Sequence, residues 1–414
     1  MSCSKVKIIL AGGGTGGHLY PGVAIAQEFR RQRPDLTILF AITRRKIDQQ
    51  IMSQEGWEYV ALPVESFRGV SWRTVRALGC LAWSIRQASS VVRKFKPSLI
   101  IGLGAYPSVP MIVAGKWSKV PIVIQEQNLY PGGANKMLAR WADRVFISFP
   151  ATESLFPAVS REKIVLAGNP VRQAVSHSGA VSPNSAVSPD SYVGAGPCAC
   201  PDGAVSPSLS LEHELSLFER EQGEGLAIGR GKFTLLIFGG SKGAHRINEA
   251  VMEGLADIPK GLAGKLQIIH QTGQEDFEEV KRRYQQVPVK SVVLPFIYRM
   301  IETYQLADLV VCRAGATTVA EITLMGKPAI MIPYPYAVAD HQATNAGELK
   351  KAGAAELILD RDLTGKSLWA MIQALAENPK KLARMREESK KLGKPDAASR
   401  IVQECLNLIR NTGK

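Results

Sequence analysis

Twice this chain drives an uninterrupted apolar strand straight into a cluster of glycines and then into a helix. KVKIIL (residues 5–10) meets Gly12-Gly13-Gly14-Thr15-Gly16-Gly17-His18 ahead of PGVAIAQEF. FTLLIF (233–238) meets Gly239-Gly240-Ser241-Lys242-Gly243-Ala244 ahead of a helical stretch that holds Asn248. A strand covered on both faces reads as a continuous run of aliphatic and β-branched residues, the pattern a parallel sheet between helices demands. TILFAIT, LIIGLG, PIVIQEQ and RVFIS in the first half, and KLQIIHQTG, KSVVLPF, DLVVCRAG and KPAIMIPY in the second, read the same way. Strands alternating with helices make βαβ units with right-handed crossovers. The expectation is an α/β protein of two Rossmann-like parallel-sheet domains facing each other across a cleft. A length of 414 residues is enough for both cores.

The expected boundaries follow from that duplication: an N-terminal domain over 1–175, an insert over 176–229, a C-terminal domain over 230–378, and C-terminal helices over 379–414 that pack near the junction. The insert repeats the motif Ala-Val-Ser-Pro and is rich in Ser, Pro, Gly and Ala. Too few large apolar side chains remain to offset ordering entropy, so disorder is expected there. The six cysteines are scattered without a CxxC pair, which suits a reducing compartment and argues against a disulfide framework or a zinc site. No run of about 18 apolar residues is present to span a bilayer. The short apolar run at the start breaks into glycines without a small-residue cleavage site, so it reads as a strand and not as a signal peptide.

Charge is unevenly spread. Of the net +14, residues 1–172 supply 23 basic against 10 acidic side chains, and between Glu65 and Glu126 nine basic residues stand with no acidic one. Such a field points to a polyanionic partner, nucleic acid or an anionic lipid surface, or else serves solubility alone. Residues 72–95 have helical periodicity. Val75, Leu78, Ala82, Ile85 and Val92 form the stripe expected to be buried, while Trp72, Arg76, Gly79, Trp83, Arg86, Ser90 and Arg93 share the opposite face. Two tryptophans among three arginines suit a helix lying on anionic lipid, with Lys116-Trp117-Ser118-Lys119 extending the patch. The alternative is tryptophan half-buried under arginine stems. No nucleic-acid-binding module accompanies the charge, so no nucleic acid is expected.

Chemistry concentrates in the glycine loops. A glycine loop between a strand and a helix lets backbone approach a ligand at a helix N-terminus. Alone, the first loop fits a dinucleotide or a mere tight turn, but it is read as missing the dinucleotide spacing, with His18 where the third glycine of GxGxxG would fall and its imidazole presented into the cleft. The second loop could seat a diphosphate with Ser241 as an added donor, and it lacks the P-loop pattern. In Cys312-Arg313-Ala314-Gly315-Ala316-Thr317-Thr318-Val319-Ala320-Glu321, a strand runs into a helix, and Glu321 is read as lying in its first turn. That carboxylate can take both hydroxyls of a ribose, or it can be only a helix-dipole acid. Asp360-Arg361-Asp362 could chelate a metal as a DxD motif; the preferred reading makes Asp362 the N-cap of LTGKSLWAMIQAL.

GGTGGH at 13–18, Gln125-Glu126-Gln127-Asn128, Gly168-Asn169-Pro170-Val171-Arg172, GGSKGA, CRAGATTVAE and Asp340-His341-Gln342-Ala343-Thr344-Asn345-Ala346 occur in this order over nearly the whole chain outside 176–229. In that order they resemble the MurG family, the UDP-N-acetylglucosamine:undecaprenyl-diphospho-muramoylpentapeptide transferases of peptidoglycan synthesis. The resemblance implies the GT-B fold, with the nucleotide sugar held mainly by the C-terminal domain and the lipid acceptor by the N-terminal one. It implies Thr15, Gly16 and Gly17 along the sugar and diphosphate, Asn128 on the sugar, and Arg172 and Ser241 near the diphosphate. It implies Ile297 beside the uracil, Ala316, Thr317, Thr318 and Glu321 on phosphate and ribose, and Gln342 on the sugar hydroxyls. Ala343 stands where some members have a second glutamine, and the 334–339 segment is slightly longer than usual.

The implied reaction is in-line attack by the acceptor's C4 hydroxyl on the α-linked donor, with inversion. His18 is the choice for general base, since imidazole titrates near neutrality, and Glu126 is the reserve. Helix N-termini with Arg172 and Ser241 would stabilise the departing UDP with no metal or other cofactor. The implied partners are UDP-GlcNAc, lipid I and anionic inner-leaflet lipid, at the cytoplasmic face of the membrane as a peripheral protein. A GT-B transferase acting on diacylglycerol, a UDP-N-acetylglucosamine epimerase and a non-catalytic nucleotide-sugar sensor remain as other readings.

Overall fold

The computed structural model describes residues 6–412 except 15, 65–71, 105, 173–230, 241–242, 256–257, 259, 298 and 338–339, and it leaves out the side chains of 72–78 and 260. The expectations placed on the 176–229 insert, Thr15 and Ser241, and on the side chains of Trp72, Val75, Arg76 and Leu78, therefore lie outside the described residues. The described chain forms two compact units, one of residues 6–172 and 394–412, the other of 231–393.

In the first unit the elements run β1 (Lys7–Ala11), α1 (Gly16–Gln32), β2 (Thr37–Thr43), α2 (Lys46–Gln54), β3 (Tyr59–Leu62), α3 (Trp72–Phe95) and β4 (Leu99–Gly102). They continue through α4 (Ser108–Trp117), β5 (Ile122–Glu126), α5 (Gly133–Leu138), β6 (Arg144–Ile147) and β7 (Ile164–Leu166). All pairings are parallel, in the order β3-β2-β1-β4-β5-β6-β7. Ile8, Leu10, Phe40 and Ile42 point into one buried cluster, and Ile9, Leu39, Ala41 and Ile100 into another on the opposite face. Two covered faces explain why these strands tolerate no polar alternation. Each fully buried Ile, Leu or Phe stabilises the unit by roughly 1.5–3 kcal/mol relative to exposure.

The second unit holds β8 (Phe233–Phe238), α6 (His245–Glu253), α7 (Lys260–Ala263), β9 (Leu266–Gln271), α8 (Phe277–Tyr284), β10 (Lys290–Leu294) and α9 (Met300–Leu306). It goes on with β11 (Leu309–Cys312), α10 (Ala316–Met325), β12 (Ala329–Met331), α11 (His341–Lys351), β13 (Ala355–Leu357), α12 (Gly365–Ala376) and α13 (Pro379–Leu392). Its sheet is also parallel, in the order β10-β9-β8-β11-β12-β13. The last helix, α14 (Ala397–Asn411), belongs to the first unit. Its Ile401, Cys405 and Ile409, four residues apart, join Val402 in the cluster that holds Leu19, Val23 and Phe29 of α1.

Both sheets reverse direction of growth at one place, between β1 and β4 in the first and between β8 and β11 in the second. In open α/β sheets the crevice beyond the carboxyl ends of two such strands is where ligands bind. Both glycine clusters emerge there.

Three details differ from the sequence reading. The short strands β3, β7 and β13, three or four residues each, carry too little pattern to be seen without their neighbours. On α3 the buried face runs through Ser84, Gln87, Ala88, Val91, Val92 and Phe95, while Ala82 is exposed and Ile85 only half-buried. Ser84 enters that face because its Oγ donates to Pro63 O. Finally, the N-cap of α12 is Thr364 and not Asp362: Thr364 Oγ1 accepts from Ser367 N and Ser367 Oγ accepts from Thr364 N, a reciprocal capping box.

Candidate functional site

In the first unit the loop after β1 is braced from outside. Gly14 N donates to Asp48 Oδ2 at 2.7 Å, Thr43 Oγ1 donates to the same oxygen, and Arg45 Nη1 donates to Gly14 O at 2.8 Å. A Cβ at Gly13 would stand 2.7 Å from Asp48 Oδ2, so only glycine permits this approach. Gly12, Gly14 and Gly17 do keep a GxGxxG spacing. The Gly14 amide, however, is turned to a carboxylate of the protein itself. Gly16 and Gly17 open α1, and His18 follows in its first turn.

The His18 ring is fixed by groups that the sequence reading did not single out. Nδ1 lies 3.2 Å from Leu103 O and 3.3 Å from Gln127 Oε1. Gln127 Nε2 donates to Leu103 O at 2.8 Å, which sets the amide so that its oxygen faces the imidazole. Both atoms facing Nδ1 are acceptors, so Nδ1 carries the proton and the neutral ring keeps its lone pair on Nε2. Leu103 and Gly104 follow β4 across the switch point, and Gly104 takes a φ of +88° that favours glycine, where a Cβ would also crowd Asn135 Nδ2 at 3.2 Å and His18 Nδ1 at 3.3 Å. The glycines of LIIGLG were the available signal.

Glu126 is buried, and its two oxygens accept four hydrogen bonds: Oε1 from Asn128 N (2.9 Å) and Asn128 Nδ2 (3.2 Å), Oε2 from Gly132 N (3.1 Å) and Asn135 Nδ2 (2.8 Å). The carboxylate thereby organises the 127–135 loop and with it Asn128. Arg172 is buried beside Glu55 (2.9 Å) and stacks its guanidinium on Tyr20 at 4.0 Å from the ring centroid.

In the second unit Gly243 (φ +78°) closes the loop after β8; a Cβ there would collide with Thr272 O. Behind it a polar chain runs through the core. Asn248 Nδ2 donates to Thr272 O (2.9 Å) and Asp276 Oδ2 (2.6 Å), while Asn248 Oδ1 faces His270 Nε2 and Tyr284 OH faces His270 Nδ1, both at 3.0 Å. Burial lowers His270 to about 3 and pushes the Tyr284 hydroxyl well above its ordinary range. At the outer end, the hydrogen bond to Asp276 raises the pKa of His245, the first residue of α6.

Across the switch point, Gly315 is the N-cap of α10 and the first intrahelical bond runs from Val319 N to Gly315 O. The amides of Ala316, Thr317 and Thr318 precede it at the positive end of the helix dipole. Glu321 falls in the second turn and not the first, so a dipole role explains it poorly. It is 6% exposed, and its Oε2 accepts from Tyr304 OH at 3.0 Å. Ile297 is buried. Gln342, in the first turn of α11, accepts at Oε1 from Tyr334 N (2.9 Å), and Asn345 Nδ2 ties the same helix to Ala314 O (3.1 Å). Asp340, ahead of α11, takes a left-handed φ of 51°. Arg313 Nη1 donates to Ile332 O, Pro333 O and Asp360 Oδ1 (2.6 Å), so one carboxylate of the DxD stretch is engaged in the fold. Among the described residues no three His, Cys, Asp or Glu side chains gather as metal ligands would.

On the outer side of the first unit, Trp83 of α3 is 53% exposed and Trp117 of α4 is 70% exposed, with Arg86, Arg93, Lys116 and Lys119 also exposed. Helices α3 and α4 pack together. No described helix is long and apolar enough to cross a membrane.

Residues 8–147 match the glycosyltransferase family 28 N-terminal domain, and residues 234–401 match the glycosyltransferase family 28 C-terminal domain. A curated UDP-N-acetylglucosamine–N-acetylmuramyl-(pentapeptide) pyrophosphoryl-undecaprenol N-acetylglucosamine transferase of Thermodesulfovibrio yellowstonii is 36% identical, with 98% of this chain and 99% of the relative covered. Its namesake from Geobacter sp. (strain M21) is 38% identical over 96% of this chain and 95% of its own. Among solved structures, MurG of Acinetobacter baumannii shares the fold with a TM-score of 0.64 at 24% identity, covering 98% of this chain and 99% of that one. The UDP-GlcNAc 2-epimerase of Neisseria meningitidis, solved with UDP-GlcNAc, shares it with a TM-score of 0.60 at 15% identity, covering 97% and 100%.

Proposed function

The chain belongs to glycosyltransferase family 28, and on that premise we propose how its own residues carry the reaction of its relatives. It transfers N-acetylglucosamine from UDP-N-acetylglucosamine to the muramyl sugar of a pentapeptide-bearing, undecaprenyl-diphosphate-linked acceptor, the step that forms lipid II in peptidoglycan synthesis. His18 Nε2 takes the proton from the acceptor's C4 hydroxyl as that oxygen attacks the donor's anomeric carbon with inversion. The observation that carries this assignment is the tautomer: two acceptors on Nδ1 leave Nε2 as the basic nitrogen. Glu126 acts as a positioning residue for Asn128, since its oxygens are taken by the loop.

On the donor side the amides of Ala316, Thr317 and Thr318 take phosphate, Glu321 the ribose, Ile297 flanks the uracil, and Gln342 meets the sugar hydroxyls. Ser241, Thr15, Gly16 and Gly17 complete the diphosphate and sugar contacts. Arg172, whose Nη1 pairs with Glu55, adds positive charge near the diphosphate. UDP departs against helix N-termini and cationic groups, with no metal required. The exposed tryptophans and basic residues of α3 and α4 bring the first unit to anionic lipid on the cytoplasmic face of the inner membrane.

The test uses purified protein, labelled UDP-N-acetylglucosamine and a short-chain analogue of the acceptor. The expected product is a lipid-linked disaccharide. Transfer to diacylglycerol instead, or release of the 2-epimer without acceptor, would replace this reading by one of the other two.

A further inference from the structure

We infer that Tyr304 is a positioning residue that makes the nucleotide site selective for ribose over deoxyribose. The inference rests on the reading that Glu321 receives the ribose hydroxyls. Tyr304 lies on α9, fully buried, and its hydroxyl donates to Glu321 Oε2 at 3.0 Å. Its ring stands edge-on to Phe238, centroids 6.0 Å apart and planes at 76°. Phe238 is the last residue of β8, immediately before the glycine loop. The phenol is therefore braced from the strand that carries one ligand loop while it holds the carboxylate on the helix that carries the other.

The geometry gives this contact a consequence for specificity. Thr317 and Glu321 are four residues apart on α10, hence on one face and little more than one turn apart, about 6 Å along the axis. That is of the same order as the span from the hydroxyls of a ribose to its 5′-phosphate. A carboxylate's terminal torsion is broad and two-fold, so by itself it would present its oxygens over a range of directions. One directed donor on Oε2 fixes the plane and aims the group's remaining acceptor capacity. Hydrogen bonds to a charged acceptor are the stronger kind and are lost steeply with misalignment. Selectivity for a hydroxyl arises when a buried polar group is left unpaired by the analogue that lacks it.

The experiment measures the affinity of the full chain for UDP and for 2′-deoxy-UDP by calorimetry, in wild type, Tyr304→Phe and Glu321→Ala. Wild type should prefer UDP by about tenfold or more. Tyr304→Phe should weaken UDP by about three- to tenfold and leave 2′-deoxy-UDP within about twofold, so that the preference nearly closes. A purely structural phenol would instead weaken both ligands by the same factor, and that result, or no change in either, overturns the inference. If Glu321→Ala keeps the full ribose preference, the reading of Glu321 fails. If Glu321→Ala abolishes it and Tyr304→Phe does not, Tyr304 alone is wrongly assigned. Should Tyr304→Phe not fold, Phe238→Leu keeps the phenol but loosens its ring: a shrunken preference supports the inference, and a wild-type preference refutes it.

Discussion

Truncating Gln127 tests whether the imidazole is aimed by its neighbours. Gln127 Oε1 is one of two acceptors on His18 Nδ1, at 3.3 Å, and its Nε2 holds the other, Leu103 O, at 2.8 Å. A neutral hydrogen bond contributes about 1 kcal/mol net. When Nε2 takes the acceptor's proton the ring becomes cationic, and a charge-assisted bond is about twice as strong. Gln127→Ala should then cost the transition state about 1–2 kcal/mol, a fall of about 5–30-fold in kcat with KM within about twofold. His18→Ala alone should cost about two to four orders of magnitude. Because Gln127 acts only through the ring, adding Gln127→Ala to His18→Ala should change the rate by less than about twofold, a coupling equal to the whole single-mutant effect. The assay is initial-rate formation of lipid-linked disaccharide, with thermal melts of all four proteins, since Gln127 is buried and its loss also touches stability. Equal losses in both backgrounds would sink the argument, because Gln127 would then act on substrate or fold and not on the base.

Three further outcomes follow from the same contacts. Glu126→Ala removes the shared acceptor of four hydrogen bonds, of which buried Asn135 Nδ2 keeps Gln125 O and the donors of half-buried Asn128 and exposed Gly132 can turn to water, so it should lower stability by about 1–3 kcal/mol in urea titration; a fully stable variant with kcat down about a thousandfold would return Glu126 to the role of base. His270 is held near 3 by burial while an unfolded histidine titrates near 6.5, so the unfolded chain alone gains this proton as pH falls. Its stabilisation is complete above about pH 6.5 and is lost at up to about 1.4 kcal/mol per unit as pH drops toward 3; His270→Gln should flatten that acid limb, and an unchanged slope between pH 4 and 6.5 would contradict it. Arg86→Glu with Arg93→Glu should weaken binding to anionic vesicles by about 10–100-fold at low salt, and Trp83→Ser with Trp117→Ser should remove the salt-resistant part, with turnover of a water-soluble acceptor near normal in each. Unchanged vesicle binding in both pairs leaves the basic face a matter of solubility.

The sequence by itself determined the architecture, because a parallel strand must be apolar on both sides and a strand that runs into glycines and a helix has few other uses. KVKIIL and FTLLIF, each with its glycine loop, were legible for that reason, and the ordered motifs carried the family. What stayed illegible depended on groups far apart in the chain. No pattern links His18 to Leu103 O and Gln127, 85 and 109 residues away, or Gly14 to Asp48. Glu126 stood beside Asn128 in the sequence as a reserve base; only the folded loop, which brings Gly132 and Asn135 to its oxygens, made it a brace. Glu321 was placed in a first turn where the helix dipole could account for it, until the observed start at Ala316 moved it a turn deeper and Tyr304 supplied its partner. On α3 the periodicity gave a helix but the wrong buried edge, since Ser84 enters the core by a hydrogen bond to Pro63 O that hydrophobicity does not report. Local pattern encodes which backbone forms, because each residue's conformational preference acts on its own neighbours. The direction in which a polar side chain spends its hydrogen bonds is decided by what the fold brings within about 3 Å of it, and that is a property of the tertiary structure alone.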